Sequence, residues 1–251
     1  MIYGLYLSAT GVMTSEYKQD VTANNLANSE TTGFKRDIPA FRQRLAAAQE
    51  GRTPGAWSDS VLDGLGGGLF VEPDKIDLAQ GDMENTGAPL DAAIQGSGFF
   101  AVDEAGKTQL TRDGRFNIDQ NGFLTLTSGQ KVLNPAGSPI NIAANVPTTI
   151  DKEGNLMQGG QAVGKIGVFE VADKSKLTKL GGGLLDYPDR SGLTPSTSLV
   201  HSEFLERSNV DPTTELTELM DAQRQLEANA NMIRTQDSTL ELLVTSVGKI
   251  T

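Results

Sequence analysis

The stretch that most constrains the fold is the C-terminal run from Asp211 to Val247. Leu216, Leu219, Leu226, Ala230, Ile233, Leu240, Val244 and Val247 recur at alternating spacings of three and four, the mark of a helix with a coiled-coil seam. Gln223 and Asp237 occupy the same register and interrupt it with polar groups. Asp211 offers an N-cap carboxylate, and Pro212 suits the first turn, where no backbone donor is needed. Glu215 and Glu218 lie near the positive end of the helix dipole, and Gly248 is a suitable stop. At 1.5 Å per residue such a helix is about 54 Å long, too long for one face to be buried inside a small domain. The seam needs a partner.

A second helical segment spans residues 2 to about 28. Ile2, Leu5, Ala9, Val12, Ala23 and Leu26 keep the same spacing, with Glu16 and Gln19 as polar intruders. Asn24-Asn25-Leu26-Ala27-Asn28 followed by Thr31-Thr32-Gly33 supplies a stop, because Asn and Gly tolerate left-handed backbone. Residues 34–80 read as a connecting region. Phe34-Lys35-Arg36 and Phe41 to Ala48 suggest a short helix limited by Pro39, and Gly51 to Gly68 suggests a flexible or extended linker. That glycine run lacks the Lys-Ser/Thr ending of a phosphate-binding loop.

Residues 69 to about 200 read as β-rich. Phe99-Phe100-Ala101-Val102, Phe116-Asn117-Ile118, Phe123-Leu124-Thr125-Leu126 and Ile166 to Val171 are short strand-like runs. Turn signals divide them at 103–106, 112–114, 119–122 and 151–155, so the expected sheet is antiparallel. Gly181-Gly182-Gly183 and the stretch to Ser198 suggest a polar connection to the closing helix. The predicted fold class is α+β, with long terminal helices forming a coiled-coil layer around a central antiparallel β-rich domain.

Little in the chain suggests chemistry. His201 is the single histidine, no Gly-x-Ser-x-Gly elbow accompanies it, and it reads as exposed and inert. Asp151, Glu153 and Asn155 approach calcium-loop spacing, but Gly154 comes too early and the closing Glu is missing, so a hairpin turn is favoured. Asp113 and Asp119 each fall in a turn, where Asx hydrogen bonds explain them. The net charge of −11 disfavours nucleic acid and anionic membranes as partners. With no cysteine there is no disulfide or thiolate metal site. No apolar run is long enough to span a bilayer, and residues 1–20 lack the pattern of a cleaved secretory signal. No cofactor constellation is expected.

Two coverings remain for the seams. The helices pack on each other within one chain, or they pack against neighbouring copies. Unequal helices leave C-terminal seam exposed, and a head-to-tail contact whose rotation does not close yields a tube.

Three signatures carry a resemblance. Ala23-Asn24-Asn25-Leu26-Ala27-Asn28 with Thr31 and Gly33-Phe34-Lys35 is one. Leu90 to Phe100, continued by Thr111-Arg112-Asp113-Gly114-Arg115-Phe116, is the second. Ser208-Asn209-Val210, Glu215, Met220, Gln223-Arg224, Glu227, Asn229, Thr235, Asp237 and Leu240 make the third. Together they resemble the bacterial flagellar axial proteins, specifically basal-body rod proteins, with hook protein a longer relative. Leu226 departs from the aromatic usual there but stays apolar.

The resemblance implies an inner coiled-coil domain from residues 1–33 and 204–251, a connecting region at 34–80 and an outer β-rich domain at 81–203. It implies an assembly interface at Leu5, Val12, Asn24, Asn25, Leu26, Asn28, Gly33, Phe34, Leu216, Leu219, Gln223, Leu226, Ile233, Asp237, Leu240 and Val244. The implied partners are copies of the chain, other rod and hook proteins and the flagellar type III export apparatus, with no nucleic acid, membrane insertion or small-molecule substrate. The implied place is the basal-body rod, reached without a cleaved signal. The implied task is mechanical, carrying torque from motor to hook, with no catalytic residue, cofactor or metal. The compact stretch after Ile150 favours a proximal over a distal rod position. The alternative is a secreted, non-enzymatic binding module whose terminal helices pair within one chain.

Overall fold

In the computed structural model, residues 2–43, 45, 68–143 and 146–247 are described. The expected linker at 51–67, the end of the expected helix at 46–48, Gly248, and the side chains of Ile2 and Val247 lie outside that description. The chain forms two compact units, one from Met1–Leu26, Asp37–Lys75 and Asp211–Thr251, the other from Ala27–Arg36 and Ile76–Val210.

The first unit is helical. Helix α1 runs Ile2–Ala27 and helix α2 runs Pro212–Val247. Helix α2 begins where the cap places it. Asp211 Oδ1 accepts from the Thr213 N–H at 3.1 Å, and Thr214 Oγ1 donates to Asp211 Oδ2 at 2.6 Å. Helix α1 contains several hydroxyl residues at interior positions. They are satisfied by bonding back one turn, Thr14 to Thr10 O and Ser15 to Gly11 O. Strands β1 (Asp37–Gln43) and β2 (Leu69–Ile76) pair into a two-stranded ribbon. Residues 41–43, expected at the start of a short helix, are therefore the end of a strand. Pro39 removes a donor and is compatible with the edge strand of such a ribbon. Tyr17 packs edge-on against Phe41 with ring centres 6.2 Å apart, so α1 covers this ribbon.

The second unit is all antiparallel. Its main sheet is built on β5 (Phe99–Glu104) and β6 (Lys107–Thr111), flanked by β15 (Leu184–Asp186) and β14 (Thr178–Gly181) on one side. On the other side lie β9 (Lys131–Val132), β8 (Leu124–Leu126) and β7 (Phe116–Ile118). Strand β13 (Val168–Val171) joins β5 to β16 (Leu193–Pro195). Alternation along β5 feeds two cores. Phe100 and Val102 join Phe116, Leu124, Val132 and Leu156, while Phe99 and Ala101 join Leu110, Leu133 and Leu185. A smaller sheet holds β10 (Thr148–Ile150), β11 (Asn155–Gln158) and β12 (Gln161–Lys165).

The turn signals have mixed outcomes. The 103–106 turn closes the β5–β6 hairpin, with Glu104 opposite Lys107. The 119–122 turn closes β7–β8, and 151–155 closes β10–β11. The Asp151 carboxylate accepts from the backbone of Glu153 and Asn155, as in an Asx turn. Residues 112–114 do not form a hairpin, because β6 pairs with β5 and β15 whereas β7 pairs with β8. Asp113 instead holds Arg115 through a two-pronged ion pair. The Gly181–Gly183 run is not a loose connection. It is the turn of the β14–β15 hairpin, with all three glycines at positive φ.

Candidate assembly surface

In the helical unit, α1 and α2 run antiparallel. The contact is marked by close approaches: a methyl group at Gly4 would sit 2.8 Å from Gln236 Nε2, and one at Gly11 would sit 2.7 Å from Asn229 Nδ2. Lys18 pairs with Glu218 at 3.6 Å, and Asn25 Nδ2 donates to Glu215 Oε2 at 3.4 Å. On α1 the seam is therefore Gly4, Ser8, Gly11, Ser15, Lys18, Thr22 and Asn25, again at three-four spacing. The apolar series Leu5, Val12 and Leu26 lies one position over and is only half-buried.

The same shift occurs on α2. Leu219, Leu226, Ile233 and Leu240 stay half-buried, and Glu215, Ala222, Asn229 and Gln236 complete the face turned to α1. Gln223 and Asp237 do not lie in this seam but are exposed, beside exposed Leu216 and Val244, the latter 71% accessible. Small and polar side chains permit the close intrachain contact, which leaves a second, apolar column facing outward.

Asn25 ties three elements of this unit. Its Oδ1 accepts from the Asp37 N–H at 2.9 Å and its Nδ2 donates to Asp37 O at 2.8 Å, pairing with β1 as a peptide would. Its third contact is to Glu215 in the first turn of α2, and both residues are only 1% exposed. Tyr17 is held above the ordinary tyrosine range by burial and by its hydrogen bond to Asp74.

Fourteen large apolar side chains are exposed among the described residues of the helical unit, including Tyr6, Met13, Phe70, Leu216, Met220 and Val244. The β unit exposes Val146, Val163, Leu180 and Leu199. The apolar surface is concentrated on the helices and their ribbon.

Gly33 and Phe34, expected at an interface, are buried within the β unit. Gly33 sits at φ +68 with its α-carbon against the Arg112–Asp113 backbone, where a methyl group would fall 2.4 Å from a carbonyl carbon. Phe34 lies beneath Lys179, whose Nζ is 3.9 Å from the ring centre and which also donates to Lys35 O. Gly33 N–H donates to Glu206 O and Asn209 Nδ2 to Asp77 O, while the Arg36 N–H donates to Asn209 Oδ1. Asn28 is half-buried and accepts from Thr31, and Asn24 is exposed.

Sequence reasoning missed a buried charge cluster in this unit. Glu206 accepts from Lys35 Nζ at 2.5 Å, Arg112 Nη1 at 2.8 Å and the Gly81 N–H at 3.0 Å. Burial pushes the Lys35 amine below the ordinary lysine range, although Glu206 pulls the other way. No local pattern announces three charges this far apart in sequence. His201, expected exposed, is half-buried and shares a 2.7 Å hydrogen bond with Gln95.

The chain is 35% identical over 98% of its length to the flagellar basal-body rod protein FlgF of Caulobacter vibrioides, covering 97% of that protein. It is 32% identical over 97% of its length to the flagellar basal-body rod protein FlgG of Bacillus subtilis, covering 98% of it. The FlgF protein of Mesorhizobium japonicum is 31% identical, with 97% of each chain covered.

The chain belongs to the flagellar basal-body rod protein family.

Three family signatures fall on the elements described. Residues 5–35 match the flagella basal body rod protein family, covering most of α1 and the turn to Lys35. Residues 93–158 match the D1 domain of flagellar hook protein FlgE/F/G, from β4 (Ala92–Gln95) to β11. Residues 201–245 match the C-terminal region of the flagellar basal body rod FlgEFG proteins, from β17 (Leu199–Ser202) and β18 (Phe204–Glu206) through most of α2. As a member of this rod family the chain is a structural protein of the flagellum.

Proposed function

We propose that this rod-family subunit polymerises through its helical unit into a tubular shaft that carries torque from motor to hook. The observation that carries the reading is the outward column of α2, with Leu216, Met220 and Val244 in water on a helix whose opposite face is already covered. Burying one such side chain is worth about 1.5–3 kcal/mol, and the gain repeats along the column. That surplus has to exceed the entropy of association, which repeated contacts around a tube achieve more readily than one isolated pair.

The interface comprises Leu5, Val12 and Leu26 on α1 and Leu216, Leu219, Gln223, Leu226, Ile233, Asp237, Leu240 and Val244 on α2. Asn25, Gly33 and Phe34 act one step back, holding each unit in shape. The partners are copies of the chain and other rod and hook proteins, and the flagellar type III export apparatus delivers it. The compact β11–β13 region, with short turns and no outgrowth, favours the proximal rod over the distal. Imaging intact basal bodies that carry a label on this chain tests the reading. Density in the proximal rod is the expected result, and density outside the rod would overturn it.

A further inference from the structure

The polar residues of the α1–α2 seam recur in step. Gly4, Gly11 and Asn25 lie in one column of α1, a whole number of heptads apart. Their partners Gln236, Asn229 and Glu215 lie in one column of α2 at the matching heptad steps, read in the opposite direction. The remaining position on α2 is Ala222, fully buried, while Lys18 of α1 reaches aside to Glu218. Each amide meets a glycine at close range, with 2.7 Å and 2.8 Å to a first added carbon.

We infer that these three rungs, Gly4–Gln236, Gly11–Asn229 and Asn25–Glu215, select a single register for the helix pair inside one subunit. Apolar columns alone tolerate a slip of one heptad, since Leu219, Leu226, Ile233 and Leu240 then replace one another. The polar rungs do not. A slip in one direction places Asn229 against Lys18 and carries Glu215 beyond the end of α1. A slip in the other carries Gln236 past the start of α1 and Asn25 past the start of α2. Either slip breaks the hydrogen bond between Asn25 and Glu215, each 1% exposed, and that penalty enforces the register.

Within one subunit the register role therefore belongs to Glu215, Asn229 and Gln236. Its consequence for assembly rests on the proposed function: a fixed register keeps the exposed columns of α1 and α2 in step, so every copy offers its neighbour the same surface.

The chain has no cysteine, so paired cysteines report register directly. Gly11→Cys with Asn229→Cys tests the observed register, and Gly11→Cys with Gln236→Cys tests the slipped one. In dilute full-length protein, the first pair should oxidise within one chain at least about tenfold faster than the second, as expected when buried polar groups specify register. Adding Gln236→Leu and Glu215→Leu to the first pair should remove most of that advantage while circular dichroism shows the helices retained. Equal oxidation of the two pairs, or an advantage unchanged by the leucine substitutions, would overturn the inference. The measurement uses the free subunit, so it stands apart from the rod reading. A flagellated strain carrying Gln236→Leu and Glu215→Leu then joins the two, with loss of swimming expected and normal swimming contradicting the link to assembly.

Discussion

Lys35 Nζ donates to Glu206 Oε1 at 2.5 Å, with the two side chains 2% and 0% exposed. Arg112 completes the cluster from the far side of the same carboxylate, so one buried anion serves two buried cations. Glu206→Gln keeps the shape and removes the anion. Because an uncompensated buried charge is strongly destabilising, the unfolding free energy of the β unit should fall by about 3–5 kcal/mol. Denaturant unfolding reads this directly. Lys35→Met should cost less, because Arg112 and the Gly81 N–H still serve the carboxylate. An unchanged midpoint for Glu206→Gln would remove the cluster from the account of stability.

The N-cap of α2 should respond to acid. Asp211 lies below the ordinary carboxylate value because the Thr214 hydroxyl and then the Thr213 N–H donate to it. A group with a depressed folded value stabilises the fold above its unfolded value and loses that contribution as pH falls through the folded one. The first turn of α2 should therefore fray as pH drops below about 4, the unfolded aspartate value. Amide exchange at Thr213 and Thr214 would report it. Asp211→Asn should abolish this pH dependence while keeping the cap, since Asn caps comparably.

The period of both helices was legible in the sequence, and so was the Asp211–Pro212 start. The column that faces the partner helix was not. Apolar spacing picks out Leu5 and Val12, whereas the close contact is made by Gly4, Ser8, Gly11 and Ser15, residues that carry no hydrophobic signal. Turns at 119–122 and 151–155 were readable because Asp119 and Asp151 bond their own following backbone. The 112–114 turn was misread because the side chain of Asp113 is committed to Arg115 and the strands on either side pair elsewhere. Strand β1 was hidden by Pro39 and by a pairing partner more than twenty residues away. Lys35 and Arg112 stood in two separate signatures and Glu206 in none, since only the folded chain brings them together.

Glu203 adopts φ 66 between strands β17 and β18, where its backbone N–H donates to Asp91 O and its carbonyl accepts from the Thr86 N–H. The side chain is exposed, and the Gly87 N–H and the Thr86 hydroxyl also donate to the same carbonyl, so the conformation is imposed through the backbone. Left-handed backbone costs an ordinary L residue roughly 1 kcal/mol, and Asn pays less of it. Glu203→Asn should raise the thermal midpoint of the β unit by a few degrees, on the usual conversion for a domain of this size. A lowered midpoint would mean that the Glu203 side chain contributes more than its exposure suggests.

Ile233 and Val244 separate folding from assembly. Ile233 is half-buried in the column shared by both faces of α2, so Ile233→Asp should weaken the intrachain helix pair as well as any contact between copies. Val244 is 71% exposed and belongs only to the outward column. In a free subunit Val244→Asp should change stability by less than about 0.5 kcal/mol, as a surface substitution does. Assembled, the same aspartate would have to be desolvated against apolar neighbours at every repeat along the shaft. Swimming should be lost while secretion and the circular dichroism of the monomer stay normal. Comparing motility halos with monomer melting curves for the two variants checks this. Full motility in the Val244→Asp strain would show that the outward column of α2 faces water in the rod.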